Sequence, residues 1–243
     1  MKRLQKATLF ITVLYLCPHL AIGQKSKKEV QNSIQNRAKE YENIAKSIWN
    51  FAEVGYQEEK SSGLLQKTLS DEGFNINSGV AEIPTAFVAE YGSGRPIIGI
   101  LAEFDALPGI SQEVATVRKP IVDKSAGHAC GHHLFGTAST AAAIAIKGYL
   151  KETKQQGTIR LYGTPAEEGG SAKVYMVRAG LFNDVDIVLH WHAGDRNVAS
   201  PSTSMANRSA KFRFYGYSAH AAGAPEKGRS SLDGVEAMNH MVN

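Results

Sequence analysis

The chain has 243 residues, 43% of them hydrophobic and 21% charged, with a formal charge of +4. That length holds one large domain or one and a half smaller ones, and the composition excludes a disordered or collagen-like chain. Lys2, Arg3 and Lys6 fall within residues 1–23, which contain no acid, so the remainder carries only +1 and offers no reason to invoke nucleic acid or an anionic membrane.

Residues 1–23 have the three parts of a secretory signal. The basic start is followed by an apolar run, Ala7 to Cys17, too short to span a bilayer, and then by the small-residue exit Ala21-Ile22-Gly23. Cleavage is expected before Gln24, which makes the protein an exported one, periplasmic or secreted. Cys130 is then the single remaining cysteine, and an exported chain with one cysteine has no internal disulfide.

Beyond the polar lead-in Lys25–Lys28, apolar positions at helical spacing (Ile34, Ala38, Tyr41, Ile44, Ala45, Ile48, Trp49, Ala52) predict a helix from Val30 to about Val54. A second helix is expected from Ser61 to Glu72, stopped by Gly73. Strand patterns follow at Ala86–Tyr91, Ile97–Ala102, Thr158–Tyr162 and Asp186–His190. Between the second and third of these come a loop from Ala106 to Gly131 and an alanine-rich helix from Leu134 to Leu150; a further helix is expected from Ser171 to Ala179. Strands alternating with helices, and a continuous apolar run such as Ile97-Ile98-Gly99-Ile100-Leu101, indicate an α/β fold with a mostly parallel sheet covered by helices on both faces. The character changes near Ser204. Ala210–Tyr217 alternates like a strand, and a helix starts near Ser231 and is still running at Asn243. One strand and part of a helix do not bury a core of their own, so the chain reads as truncated.

Six of the eight histidines fall in three segments, Gly127–His133, His190-Trp191-His192 and Ser218–Ala221, and a fourth, Pro165–Gly170, carries the carboxylate pair Glu167-Glu168. A thiol, imidazoles and paired carboxylates together are the ligand set of a zinc-type divalent metal. In an open parallel sheet, ligands bind beyond the carboxyl ends of the strands. Asp105, the pair Glu167-Glu168 and His192 each follow such an end. Cys130 and His132 precede a helix whose N-terminus is expected to lower the thiol pKa and promote the thiolate. Alone, Cys130 would be a buried structural thiol; beside three histidines it reads as a ligand. Glu167 and Glu168 can divide the work between ligand and base. His190 and His192 share one strand face, and His192, nearer the loop, is the better ligand candidate. His128 and His133 read as supporting groups.

In order and rough spacing, Phe104-Asp105-Ala106-Leu107-Pro108, Gly127–His132, Pro165–Glu168 and Ser218–Ala221 resemble the dinuclear metallo-amidohydrolases and peptidases related to aminoacylase and carboxypeptidase G. Thr164–Gly170, Trp191-His192 and Ala221–Pro225 narrow the resemblance to the branch holding aminobenzoyl-glutamate hydrolases and their dipeptidase relatives. It covers about Ile44 to the end.

The resemblance implies a zinc-exopeptidase-like catalytic domain, here residues 24–204, and the beginning of an inserted α+β lid and dimerisation domain, residues 205–243. It implies two divalent ions per subunit, Zn2+ or Mn2+, with Cys130 bridging them as a thiolate. His132 and His192 would complete one ion and Glu168 would bind the other. Glu167 would be the general base acting on metal-bound water, Asp105 a carboxylate behind the ligands, and His220 a lid group that stabilises the oxyanion. The implied reaction is hydrolysis of the amide of an N-acyl amino acid such as aminobenzoyl-glutamate, or of a dipeptide, by a homodimer or with a companion subunit. Position 133 departs from the pattern: it is His here, where the wider family has Asp and this branch Asn. The family also closes its second ion with a histidine beyond the lid. A truncated fragment holding at most one ion, without catalysis, is the competing reading from another class.

Overall fold

A computed structural model describes residues 27–199 and 201–242, so the expected secretory signal lies outside the described residues. The chain divides into two compact units, one ending at Asp195 and the other beginning at Arg196. The first unit opens with helices α1 (27–36), α2 (Ala38–Phe51) and α3 (Glu59–Asp71). Strands β1 (Asn75–Ser78), β2 (Phe87–Ser93) and β3 (Ile97–Ala102) come next, then the short ribbon β4 (Leu107–Pro108) and β5 (Ala126–Gly127). Helix α4 (His132–Thr153), β6 (Gly157–Gly163), α5 (Ala172–Arg178) and β7 (Ile187–Leu189) complete it.

The single helix expected over Val30–Val54 is broken at Arg37. There the backbone N–H bonds the Ile34 carbonyl three residues back at 3.0 Å, and the guanidinium spans Glu40 (2.6 Å) and Glu72 (2.7 Å). Helix α2 buries Tyr41, Ile44, Ala45 and Ile48, one stripe at the helical period. Helix α3 starts at Glu59 because Glu53 reaches back to cap it, accepting from the N–H groups of Lys60 (3.0 Å) and Ser61 (2.8 Å).

The five-stranded sheet has the order β1-β2-β6-β3-β7. β6, β3 and β7 are parallel neighbours, and β2 runs antiparallel to both β1 and β6. Four strands therefore point one way and β2 alone opposes them, the mixed α/β architecture with a mostly parallel sheet that the sequence pattern indicates. Strand alternation divides the core. Phe87, Ala89, Ile159 and Leu161 meet α2, α3 and α4 on one face, while Tyr162, Ala172 and Met176 pack on the other. Among the described residues no helix is long and apolar enough to cross a membrane.

In the second unit, Ala210–Tyr217 is not a strand, contrary to its alternating pattern. Among the described residues its ladder is one bridge, Tyr217 with Arg229, and alternation without a partner does not make a sheet. Helix α6 (Ser231–Val242) follows as expected.

Two features position α4, one against the end of β3 and one against α2. Gly136 lies so close to the end of β3 that a Cβ there would stand 2.8 Å from the Glu103 carbonyl oxygen and 3.0 Å from Leu65 Cδ1. On the α2 side, Trp49 of α2, His128 of the preceding loop and His133 of α4 form an aromatic cluster. Trp49 and His128 each lie 5.0 Å from the His133 ring, and His128 Nε2–H donates to the Ile48 carbonyl at 3.1 Å. Burial first, and the neighbouring imidazoles second, push both His128 and His133 down to about 4.

Gly136→Ala should destabilise the chain by about 1–3 kcal/mol through overpacking, although alanine gains roughly 1 kcal/mol in helix propensity. Urea unfolding checks this; a raised midpoint would show that α4 has room to shift. The depressed His128 and His133 set a pH dependence. Unfolded imidazoles take up protons near pH 6.5, which the fold refuses down to about 4. Their contribution is therefore intact above pH 6.5 and is lost as pH falls toward 4. His132, held above its ordinary value, acts in the opposite sense. The melting temperature of the metal-free chain should fall from pH 7 to pH 5, and His133→Gln should flatten that fall by up to one proton's worth of slope. Equal slopes for the two proteins would contradict it.

Candidate metal centre

The parallel strands β6, β3 and β7 end at one edge, and the residues that follow them converge there. Glu103 and Asp105 follow β3, Thr164–Gly170 follows β6, and His190 and His192 follow β7. Opposite them is the start of α4. It begins at His132, two residues earlier than the periodicity indicates, after Gly131 turns the backbone at φ 85°.

His132 is fully buried and stands at the centre. Its Nδ1 lies 2.9 Å from Asp105 Oδ1, and since a carboxylate only accepts, Nδ1–H is the donor and Nε2 is the atom turned to the other carboxylates. Asp105 Oδ2 accepts from the Glu168 N–H at 2.8 Å. One carboxylate thus ties the first turn of α4 to the loop after β6. A second buried carboxylate, Glu58, holds the same loop from below, accepting from the Ala166 N–H at 2.8 Å and the Thr85 hydroxyl at 3.0 Å. Glu167 lies between the two clamped residues with its side chain 43% exposed; the Glu168 side chain is 19% exposed.

Around His132 Nε2 stand Glu103 Oε2 at 3.2 Å, Glu167 Oε2 at 3.8 Å and Glu168 Oε1 at 3.9 Å. Cys130 Sγ lies 3.3 Å from His192 Nε2. Donor atoms of Cys130, His132 and His192 fall within 4.8 Å of one another, and so do those of Glu103, His132 and Glu167. Five sequence-derived candidates in the first unit, Cys130, His132, Glu167, Glu168 and His192, are therefore brought together, with Asp105 directly behind them. His220 belongs to the second unit, where its Nδ1 accepts from the N–H groups of Ala222 (3.2 Å) and Gly223 (3.0 Å).

Glu103 is the residue that sequence reasoning missed. It is 2% exposed, and its Oε1 accepts from Lys173 at 2.5 Å and from His190 at 3.0 Å. Burial pushes this carboxyl up, but the His190 hydrogen bond and the Lys173 ammonium outweigh it and hold it at about 2. The available signal was its place two residues before Asp105, which puts both on one side of an extended segment.

One expectation is overturned. The helix N-terminus does not lower the Cys130 pKa: burial, and then the charges of Glu168, Glu167 and Glu103, push the thiol up to about 11. At His132 burial lowers the pKa, but the Asp105 hydrogen bond and the surrounding carboxylates raise it by more.

The donor set fits a divalent metal. His132 Nε2, Glu103 Oε2 and Glu168 Oε1 are buried polar atoms without hydrogen-bond partners, both oxygens lying within 4 Å of the nitrogen. Two ligands of one ion, each about 2.1 Å from it, lie roughly 3.0–3.5 Å apart at angles between octahedral and tetrahedral. The 3.2 and 3.3 Å separations seen here match that spacing. Thiol, imidazole and carboxylate together suit Zn2+ or a similar transition ion.

Comparison with known proteins agrees with this geometry. Over 221 residues the chain is 42% identical to a p-aminobenzoyl-glutamate hydrolase component of Escherichia coli (strain K12), covering 90% of this chain and 46% of that protein. It is 31% identical over 215 residues to the Xaa-Arg dipeptidase of Homo sapiens, covering 82% and 45% respectively. The chain thus spans about half the length of the curated relatives it matches. Its fold resembles that of a dinuclear metal binding peptidase of the M20 family from Bacillus subtilis, with a TM-score of 0.57 and 23% identity over 66% of this chain and 44% of that one. The model of peptidase family M20/M25/M40 matches residues 99–225, a span that includes Glu103, Asp105, Cys130, His132, Glu167, Glu168, His190, His192 and His220, and the chain belongs to that family.

Proposed function

We propose that this chain carries the metal-binding catalytic machinery of an exported amidohydrolase that cleaves the amide bond of an N-acyl amino acid. The observation that carries this reading is the meeting of unpartnered donors at the C-terminal edge of the sheet: His132 Nε2 and Glu168 Oε1, with Cys130 and His192 beside them. An aminobenzoyl-glutamate conjugate is the favoured substrate, because the named function of the 42%-identical bacterial relative is its hydrolysis. A dipeptide is the alternative, favoured by the name of the human relative. Residues 1–23 would direct export, residues 24–204 would form part of the catalytic domain, and residues 205–243 would begin a lid through which two copies, or this chain and a companion subunit, associate.

Cys130, His132, His192 and Glu168 would hold two divalent ions, zinc or manganese. Bound there, such ions supply Lewis acidity, acidifying water and polarising the scissile carbonyl. The chain's own groups do the rest. Glu167, more exposed than Glu168 and within 3.8 Å of His132 Nε2, takes the proton from the attacking water and delivers it to the departing nitrogen. Asp105 fixes the His132 tautomer, and with Glu58 it pins the backbone on either side of Glu167, so that the base is presented from a rigid loop. His220 would hydrogen-bond the developing oxyanion from the lid.

Extended to the length of its curated relatives and loaded with Zn2+ or Mn2+, the chain should hydrolyse aminobenzoyl-glutamate, other N-acyl amino acids or Xaa-Arg dipeptides. Glu167→Gln should retain its metal and lose about 10²–10⁴-fold in kcat. Two tightly bound ions by elemental analysis would rule out the fragment that holds at most one, and two ions without turnover on any of these substrates would count against the amidohydrolase reading. Because the metal-free thiol sits at about 11, zinc binding at pH 7 should release the Cys130 proton. Calorimetry in buffers of different ionisation enthalpy should register it, and Cys130→Ser should both weaken binding and release one proton fewer. Equal proton release from the two proteins would remove Cys130 from the ligand set.

A further inference from the structure

The two oxygens of Glu103 have different surroundings. Oε1 is fully engaged, by Lys173 at 2.5 Å and His190 at 3.0 Å. Oε2 is buried without a hydrogen-bond partner, 3.2 Å from a His132 Nε2 that also has none. In the neutral imidazole, with its proton on Nδ1 facing Asp105, the atoms meeting across that gap are two lone pairs. Such a contact repels, and in a buried site repulsion is weakly screened. A cation between them reverses its sign.

We propose that Glu103 is a ligand of the ion at His132, with Oε2 the donor atom and Oε1 the anchor. This rests on the metal reading above and deepens it. His132 is then held between two carboxylates from the same strand end: Asp105 orients it through Nδ1, and Glu103 shares its ion on the Nε2 side. Lys173 and His190 are positioning residues. Both donate to Oε1, which leaves Oε2 the one free to turn to the ion, and the ammonium offsets the cost of burying another negative charge beside Asp105 and Glu168. The same arrangement separates the two histidines after β7, since His190 Nε2 goes to Glu103 and His192 Nε2 to Cys130. A hard oxygen joins a set otherwise made of sulfur and imidazole nitrogen, which widens the acceptable metals toward Mn2+.

Cobalt substitution tests this without reference to turnover. Co2+ bound to the unaltered chain should show a thiolate-to-cobalt charge-transfer band from Cys130 and visible d–d bands that report the donor set. Glu103→Gln should keep the thiolate band, change the d–d bands and weaken Co2+ binding at least about tenfold. Lys173→Met, which keeps the donor and loses its anchor, should weaken binding by less. An unchanged affinity and d–d spectrum in Glu103→Gln would overturn the ligand role while leaving the metal centre standing. No thiolate band in the unaltered chain would overturn the centre itself, and this inference with it. If far-ultraviolet circular dichroism shows Glu103→Gln unfolded, Glu103→Asp decides: it keeps the charge but withdraws the oxygen, so weakened Co2+ binding supports the assignment and unaltered binding and spectrum refute it.

Discussion

The arrangement of the first unit turns on one imidazole buried between carboxylates. His132 has Asp105 on one nitrogen and Glu103 beside the other, with Glu167 and Glu168 within 4 Å of the same Nε2. Burying acids is costly unless each is paired or hydrogen-bonded. The fold meets part of that cost, through Lys173 at Glu103 and the Glu168 backbone N–H at Asp105. Around His132 it leaves three atoms unmet, His132 Nε2, Glu103 Oε2 and Glu168 Oε1, the two oxygens lying 3.2 and 3.9 Å from the nitrogen. A polypeptide rarely leaves a buried imidazole nitrogen and two carboxylate oxygens within 4 Å of it unpartnered unless something positive belongs among them.

The sheet makes this convergence possible. Parallel neighbours β6, β3 and β7 release their chains at one edge, so the residues that follow all three strands arrive together. Helix α4 arrives from the other side, and the absence of a side chain at Gly136 lets its first turn come against the end of β3. Hydrogen bonds then join these pieces across large sequence separations, Asp105 to Glu168 and Glu58 to Ala166 among them. Glu167 gains its fixed position from both: its two neighbours are held, and it alone extends toward solvent.

Much of this was legible in the sequence, for reasons that are local. Helices α2, α3 and α4 carry period-3.6 apolar faces, and β3 and β6 are apolar runs bounded by polar residues. The metal-type residues sit in short, glycine-framed clusters at element ends. Non-local features were the ones that escaped. β1 is Asn75-Ile76-Asn77-Ser78, a polar stretch that becomes a strand only because β2 offers an edge. Ala210–Tyr217 has the opposite history, with the alternation of a strand and a single bridge for a partner. Glu103 carries no motif of its own, and its importance depends on Lys173, seventy positions later on α5. The thiol failed for the same reason: a rule about helix ends concerns one neighbour, whereas the Cys130 pKa follows from burial and three carboxylates drawn from two other loops.

That reversal at Cys130 bears on how the proposed site would be loaded. With the thiol held near 11 and His132 above its ordinary value, the metal-free pocket keeps protons on the very groups that must give them up to become ligands. The acidic residues that raise both groups are the ones that would attract a divalent cation. Protons and metal therefore compete for one cluster of negative charge, and occupancy must rise with pH more steeply than for a site with a preformed thiolate. On this view burial and the neighbouring carboxylates hold the thiol proton in the absence of metal, and a cation drawn in by the same carboxylates would displace it and take the sulfur as a ligand.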